Sequence, residues 1–263
     1  MAFKFLQKLR TWAFRHFQGK GIGKKFPFLW RIYDFIYSFQ KPFTHEIQGF
    51  KLQINPKDPN YLMRRISQDY ASMTVYESET TKLFCEVIKK DDIVLDIGAS
   101  IGYFSMLAGS LGAKVYAFEP TKINFNYLCQ NVILNGYTTV FPQELAVWSE
   151  EALVKVPLHA DPINACWANG VALQDYLPRI GVHRVDFIKM DTDGSDLQAL
   201  KGLLNIIKSN PQLKMIVEFY PKMLEMNGEN PQDFLDILDT YFDYQPIPGD
   251  YGDRYWNLYC IRK

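Results

Sequence analysis

Ile93-Val94-Leu95-Asp96-Ile97-Gly98-Ala99-Ser100-Ile101-Gly102-Tyr103 is the stretch on which the fold turns. Its first five residues form a short apolar run broken by a single acid, the pattern of a strand buried on both faces. Glycines then turn the chain into a helix from about Tyr103 to Leu111. Upstream, Glu77 to Lys90 reads as a helix with Leu83, Phe84, Val87 and Ile88 facing inward, and Lys89-Lys90 in the last turn suits its dipole. Downstream, strands and helices alternate. Strands are expected at 114–118, 139–143, 153–158, 185–190 and 214–219, and helices at 122–134, 173–177, 195–208 and 231–241. Residues 244–247 and 254–261 flank the turn-rich Pro248-Gly249-Asp250-Tyr251-Gly252-Asp253, so an antiparallel strand closes a mostly parallel, doubly wound α/β sheet. Before all of this, residues 45–54 alternate around Gly49 as a small hairpin.

Open parallel sheets bind ligands at the carboxyl ends of their strands. The first such strand ends in Asp96 and the glycine loop. The second ends in Glu119-Pro120, 21 positions after Gly98, where a carboxylate can accept both hydroxyl protons of a ribose. A dinucleotide site requires G-x-G-x-x-G, with a pyrophosphate on the helix start; this chain has D-x-G-x-x-x-G. A carboxylate at Asp96 repels a pyrophosphate and suits the ammonium and sulfonium end of S-adenosylmethionine, so a nicotinamide dehydrogenase is disfavoured. The plain alternative is a glycine-bearing turn with a capping acid.

The ordered motifs extend further: Tyr76-Glu77, then 94–105, then Ala117-Phe118-Glu119-Pro120 with Asn124 and Asn131, then Asp186-Phe187-Ile188-Lys189-Met190-Asp191-Thr192-Asp193-Gly194. Over roughly residues 70–220 the chain resembles the FkbM-type methyltransferase family. The resemblance implies a class I methyltransferase, Rossmann-like seven-stranded sheet. It also implies S-adenosyl-L-methionine as cofactor and O-methylation of a sugar, glycan or natural-product hydroxyl. It makes Tyr76 and Glu77 contacts to the methionine portion; read alone, they only start a helix. Asp96, Gly98, Ala99, Ser100, Gly102, Tyr103, Glu119, Pro120 and Asn124 complete the expected cofactor seat. Two departures stand out. Where the family has D-V-E-G-A-E, this chain has Asp191-Thr192-Asp193-Gly194-Ser195-Asp196, and the stretch from Val147 to Val171 is shorter than the resemblance leads one to expect.

Methyl transfer is an in-line displacement, in which alignment supplies much of the rate and a nearby base takes the acceptor's proton. Asp191 and Asp193, just past a strand's carboxyl end, are the candidates for that work; their alternative is to cap the helix near Ser195. Glu218 either faces the acceptor or pairs with Lys189. His159 is a second candidate base, and Trp167, with Asn164, Cys166 and Asn169, either lines the acceptor entrance or packs as an ordinary loop. No His-rich ligand set accompanies the acids, so no metal is expected. A catalytically silent cofactor-binding module is the competing function.

Charge is unevenly spread. Residues 1–43 carry nine Lys or Arg against one acid, a net of +8, and the remaining 20 basic and 28 acidic side chains give −8, so the total is +0. The same arm holds thirteen Phe, Trp or Tyr. Leu6, Leu9 and Ala13 share a helical side edged by Lys4, Lys8 and Arg15, and Gly19, Gly21 and Gly23 break the segment. No apolar stretch approaches the ~20 residues that span a bilayer, and no signal-peptide pattern is present. The arm, 1–43, is therefore expected to be a helical unit apart from the 44–263 domain. It either packs on the domain's flank or lies on an anionic membrane surface; a nucleic-acid partner is disfavoured. Four scattered cysteines, with no C-x-x-C pair, read as reduced thiols of a cytoplasmic protein, peripheral at a membrane if the arm binds one. Oligomeric state is not encoded in any motif.

Overall fold

The computed structural model describes residues 42–55, 75–158, 161–249 and 256–263. The expected hairpin is present as β1 (Phe43–Ile47) and β2 (Phe50–Ile54). Gln48 and Gly49 take positive φ in its two-residue turn, as the twist of a tight hairpin requires. Then come α1 (Ser78–Val87), β3 (Ile93–Ile97), α2 (Tyr103–Ser110), β4 (Lys114–Phe118), α3 (Lys122–Asn135) and β5 (Val140–Gln143). Three strands follow without a helix between them: β6 (Ala146–Val147), β7 (Ala152–Leu158) and β8 (Asp161–Val171). The second half runs α4 (Leu173–Arg179), β9 (Phe187–Met190), α5 (Asp196–Lys201), α6 (Leu204–Ser209), β10 (Lys214–Phe219) and α7 (Pro221–Met226). It closes with α8 (Pro231–Tyr241), β11 (Phe242–Pro246) and β12 (Trp256–Arg262).

Seven strands pair in the order β5-β4-β3-β9-β10-β12-β11. The pairs from β5 to β10 are parallel, and β12 is antiparallel to both of its neighbours, as the C-terminal hairpin pattern predicts. From β3 the chain winds outward through β4 to β5, then returns to β9 on the other side. The order thus reverses between β3 and β9, and the crevice above their carboxyl ends is where such a sheet receives a ligand.

Alternate strand residues feed two cores. Leu95, Ile97, Phe118, Ile188, Met190 and Val217 pack under Leu177, Leu197, Leu200, Ile207, Phe234 and Leu238. On the opposite face Val94, Val115, Phe187 and Ile216 meet Phe84, Met106, Leu107 and Leu128, together with Phe50, Leu52 and Ile54 of the hairpin. The hairpin is held to α3 by side-chain amides. Asn131 Oδ1 accepts from Gln53 N and Asn135 Oδ1 from Lys51 N, each at 2.7 Å. The four cysteines are free thiols.

Two expectations change. The helix expected over 195–208 is interrupted at Gly202-Leu203, because Gly202 lies against the backbone of Trp148: a Cβ there would stand 1.9 Å from the Trp148 carbonyl oxygen. The stretch between Val147 and Val171 is a hairpin, not a loop: β7 and β8 pair antiparallel, and β8 also pairs with β6 in a separate three-stranded sheet. The arm expected over 1–43 lies, up to residue 41, outside the described residues, as does His159. Among the described residues no helix is long and apolar enough to cross a membrane.

Gly202→Ala is expected to cost about 2–3 kcal/mol in chemical denaturation, because backbone cannot yield as a side chain does. Gly136→Ala is expected to cost only about 1 kcal/mol, since φ is 65° but nothing lies within 4 Å of a Cβ there. Equal losses would show that the Trp148 contact does not set the break.

Candidate active site

The loop after β3 is shaped by positive φ at Gly98 (79°), Ser100 (50°) and Gly102 (92°). Gly98 N and Ala99 N both donate to Phe118 O at 2.9 Å, tying the loop to the end of β4. On its other side Gly98 rests on the chain after β9: a Cβ would fall 1.8 Å from the Asp191 carbonyl oxygen. Ser100 N donates to Glu119 Oε2 at 2.8 Å, and Thr121 donates to Oε1 through its N at 2.8 Å and through its hydroxyl. Burial pushes the Glu119 carboxyl up, against these donors and the Asn124 side chain. Oε1 thus already takes two donors and Oε2 takes one from Ser100, so groups of its own chain fix the orientation of the Glu119 carboxyl. Pro120 follows it, half-buried. Tyr103 is buried behind the loop, with its ring edge-on to Tyr76 at 5.1 Å and its hydroxyl accepting from Thr81 Oγ1 at 3.3 Å.

Across one face of the sheet, just below this rim, polar groups stand side by side where a core would be apolar. Asp96 accepts from the Ser105 hydroxyl at 2.5 Å; burial raises its carboxyl to about 6, opposed by that bond and by Lys189. In register, Asp96 stands opposite Lys189, and Glu218 opposite Asn257. Asn257 Nδ2 donates at 3.0 Å both to Glu77 Oε2 and to Thr80 Oγ1. Glu77 adopts left-handed backbone (φ 44°, ψ 60°) at the head of α1, which turns its carboxyl inward; burial raises it, and Lys189 opposes. Tyr76 stands beside it, its phenol pushed well up by burial and by the negative charge of Glu77. The ammonium of Lys189 is 3.5 Å from Asp191 Oδ2. The expected alternative of a Glu218–Lys189 pair gives way to this one, and Glu218 feels Lys189 only at longer range.

The segment after β9 carries three acids, Asp191, Asp193 and Asp196, and Glu218 of β10 stands beside them. Asp196 is buried, accepts from Thr192 N at 3.0 Å and Gly194 N at 3.1 Å, and is raised to about 6 by burial and by Asp191. Asp196 therefore holds the loop, and neither Asp191 nor Asp193 caps α5, whose N-cap is Ser195. That leaves Asp191 (29% exposed) and Asp193 open to solvent. Asp193, at φ 53°, is raised to about 7 by desolvation first and then by the charges of Asp191, Asp196 and Glu119. Glu218, half-buried beside them, is raised well above the carboxylate range by burial first and then by Asp191, Asp196 and Asp193. Among the described residues no group of His, Cys, Asp and Glu has the arrangement of a metal site.

The β7–β8 hairpin leaves the end of β6 toward this rim. Its inner face carries Val154, Val156 and Ala168, and the Cys166 thiol feels Glu119; Trp167, 67% exposed, is on the outer face opposite Lys155. Of the sequence candidates, the structure thus brings together Tyr76, Glu77, Asp96, Asp191, Asp193, Glu119 and Glu218, and stands Trp167 outward. Reading the sequence missed Asp196, Asn257 and Ser105, whose polarity inside apolar elements was the available signal. A groove of about 380 Å³ lined by Lys89, Asp92, Asp186 and Lys214 opens at the opposite, amino-terminal ends of the strands, away from all of these groups.

Residues 96–255 match the family model described as the methyltransferase FkbM domain. Hexuronic acid methyltransferase AglP of Haloferax volcanii is 28% identical over 144 residues, covering 51% of this chain and 59% of the relative, so the match spans little more than half of that protein. Methyltransferase sdnD of Sordaria araneosa is 21% identical over 226 residues, covering 67% of this chain and 83% of the relative. Among solved structures, M. jannaschii TYW2 in complex with AdoMet aligns with a TM-score of 0.45 at 15% identity, over 85% of this chain and 88% of that one. With its family model covering more than half of its length, the chain belongs to the FkbM methyltransferase domain family, whose methyl donor is S-adenosylmethionine.

Proposed function

We propose that this protein methylates a hydroxyl of a sugar, glycan or related natural product. The observation that carries the reading is electrostatic: Asp96, Glu119, Asp191 and Glu218 at the strand ends are joined by Glu77 from the head of α1, and Lys189 is set among Glu77, Asp96, Asp191 and Glu218. Such a rim suits a donor with an ammonium and a sulfonium and repels a pyrophosphate. Bound S-adenosylmethionine supplies a methyl group on sulfur, which the acceptor oxygen takes in line as the carbon–sulfur bond breaks. Tyr76, Glu77 and Asp96 hold the methionine portion, the loop from Gly98 to Gly102 accommodates the nucleoside, and Glu119, with Pro120 and Asn124 beside it, receives the ribose hydroxyls. Asp191 and Asp193 face the acceptor. Asp193, raised to about 7, matches a base that must exchange a proton near neutrality. The name of the relative AglP supports an acceptor of the sugar class.

For the arm, we propose contact with an anionic membrane surface, on the strength of its +8 charge and thirteen aromatic residues. In liposome flotation the full chain should rise with anionic vesicles and a version lacking residues 1–43 should not; equal partitioning defeats this reading.

The acceptor reading is tested by mass spectrometry for a methylated product after incubation with S-adenosylmethionine and a panel of neutral glycosides and uronic acid glycosides. Product formed by the full chain, and reduced about 10²-fold or more in Asp191→Asn with donor affinity kept, is the expected result. Turnover that survives this change removes Asp191 from the chemistry, while donor binding without product from any acceptor favours the silent module.

The raised carboxyls also dictate a pH dependence of stability. A carboxyl raised on folding binds more protons in the folded than in the unfolded state, so stability falls as pH rises through the window between its two values. For Asp96 and Asp196 that window runs from 3.8 to about 6, and for Asp193 to about 7. The ligand-free protein should therefore melt at a lower temperature at pH ~8 than at pH ~5, and Glu218→Gln should raise the pH ~8 value while changing the pH ~5 value little. A Glu218→Gln midpoint below wild type at pH ~8 would refute the assignment.

A further inference from the structure

Lys189 occupies the middle of β9, a strand buried along its whole length, and is 1% exposed. Its Nζ lies 3.5 Å from Asp191 Oδ2 and 5.2 Å from the centroid of the Phe104 ring, with no hydrogen-bond partner among the described residues. Burying an ammonium is costly, and an apolar side chain of similar length would fill the same space without that cost. The fold alone therefore gives no reason for a cation here.

The groups that face it supply one. Glu77 reaches it from the head of α1, Asp96 from β3, Asp191 from the end of β9 and Glu218 from β10. The Tyr76 phenol lies beside Glu77, and Phe104 of α2 covers the ammonium from above. Four carboxyl groups thus share one fixed positive charge, and among them Glu77 and Asp96 are the pair read above as the seat of the donor's methionine portion. We propose that Lys189 is a positioning residue for donor capture: its buried ammonium is the fixed counter-charge that lets Glu77 and Asp96 meet the donor's ammonium group as carboxylates. This rests on the reading of Glu77 and Asp96 as that seat. Burial pushes both carboxyls up, Asp96 to about 6, and in each Lys189 acts in the opposite direction. Take the cation away and both rise further, so at a given pH more of each is a neutral acid with little attraction for an ammonium.

Calorimetry on the full chain tests this without any acceptor. S-adenosylhomocysteine carries the amino-acid portion and 5′-methylthioadenosine lacks it; each is titrated from about pH 5.5 to 8.5. In the wild type, S-adenosylhomocysteine affinity should fall on the acid side with a midpoint near 6. In Lys189→Met that midpoint should move up by about one unit, which makes binding about threefold weaker near pH 6.5 and about eightfold weaker near pH 5.5, and the two proteins should converge at the alkaline end. Affinity for 5′-methylthioadenosine should not change, and Lys189→Arg should bring the midpoint back to within about half a unit of wild type. An unmoved midpoint, or equal weakening of both ligands at every pH, overturns the proposal and leaves Lys189 a structural residue. Should Lys189→Met not fold, Lys189→Gln takes its place, and the wild-type midpoint decides on its own account: a value of about 7.5 or above overturns the proposal. Unchanged S-adenosylhomocysteine affinity in Asp96→Asn would refute the seat itself, a failure distinct from that of Lys189.

Discussion

The site depends on one backbone contact. Gly98, leaving β3, lies so close to the carbonyl of Asp191, leaving β9, that only a hydrogen fits where other residues carry a Cβ. Parallel pairing of β3 with β9 brings the two chains side by side, and the missing side chain lets the loops beyond them touch. The glycine loop after β3 and the acidic loop after β9 therefore share a wall. Their separation is fixed by main-chain pairing within the sheet, and a reaction that depends on alignment gains from walls that main chain sets.

That wall is maintained at a cost. A sheet face that could have been apolar holds Asp96, Lys189, Glu218 and Asn257, and carboxyls crowd together beyond the point where all can ionise easily. Backbone strain collects in the same place. Of the five non-glycine residues with positive φ among those described, Glu77, Ser100 and Asp193 belong to the site. Each is directed by that unusual conformation: Glu77 turns into the core, Ser100 offers its N–H to Glu119, and Asp193 stays open to solvent while Asp196 takes the loop's donors.

Local pattern made the sheet legible. Apolar runs such as Ile93–Ile97 and Lys214–Phe219 declare buried strands, and Asp96 and Glu119 at strand ends declare where a ligand would sit. What the pattern missed depends on residues far apart in the chain. The break at Gly202 comes from Trp148, not from the helix's own residues. The long β8 lacks a clean alternation because its register follows from pairing with β7 on one side and β6 on the other. Spacing placed Asp191, Asp193 and Asp196 in one loop, but could not assign which acid would hold the backbone donors and which would be left to solvent. Lys189 lay in plain view inside an apolar strand, and only the four carboxyls around it give that position meaning.

The hairpin at the start of the domain has a mechanical consequence. Asn131 accepts from Gln53 of the hairpin with its Oδ1 and donates through Nδ2 to the carbonyl of Ile101, inside the glycine loop, at 2.8 Å. One buried amide thus joins β2 of the hairpin to the glycine loop after β3. A displacement of β2 is therefore passed through a single side chain to the turn that opens α2.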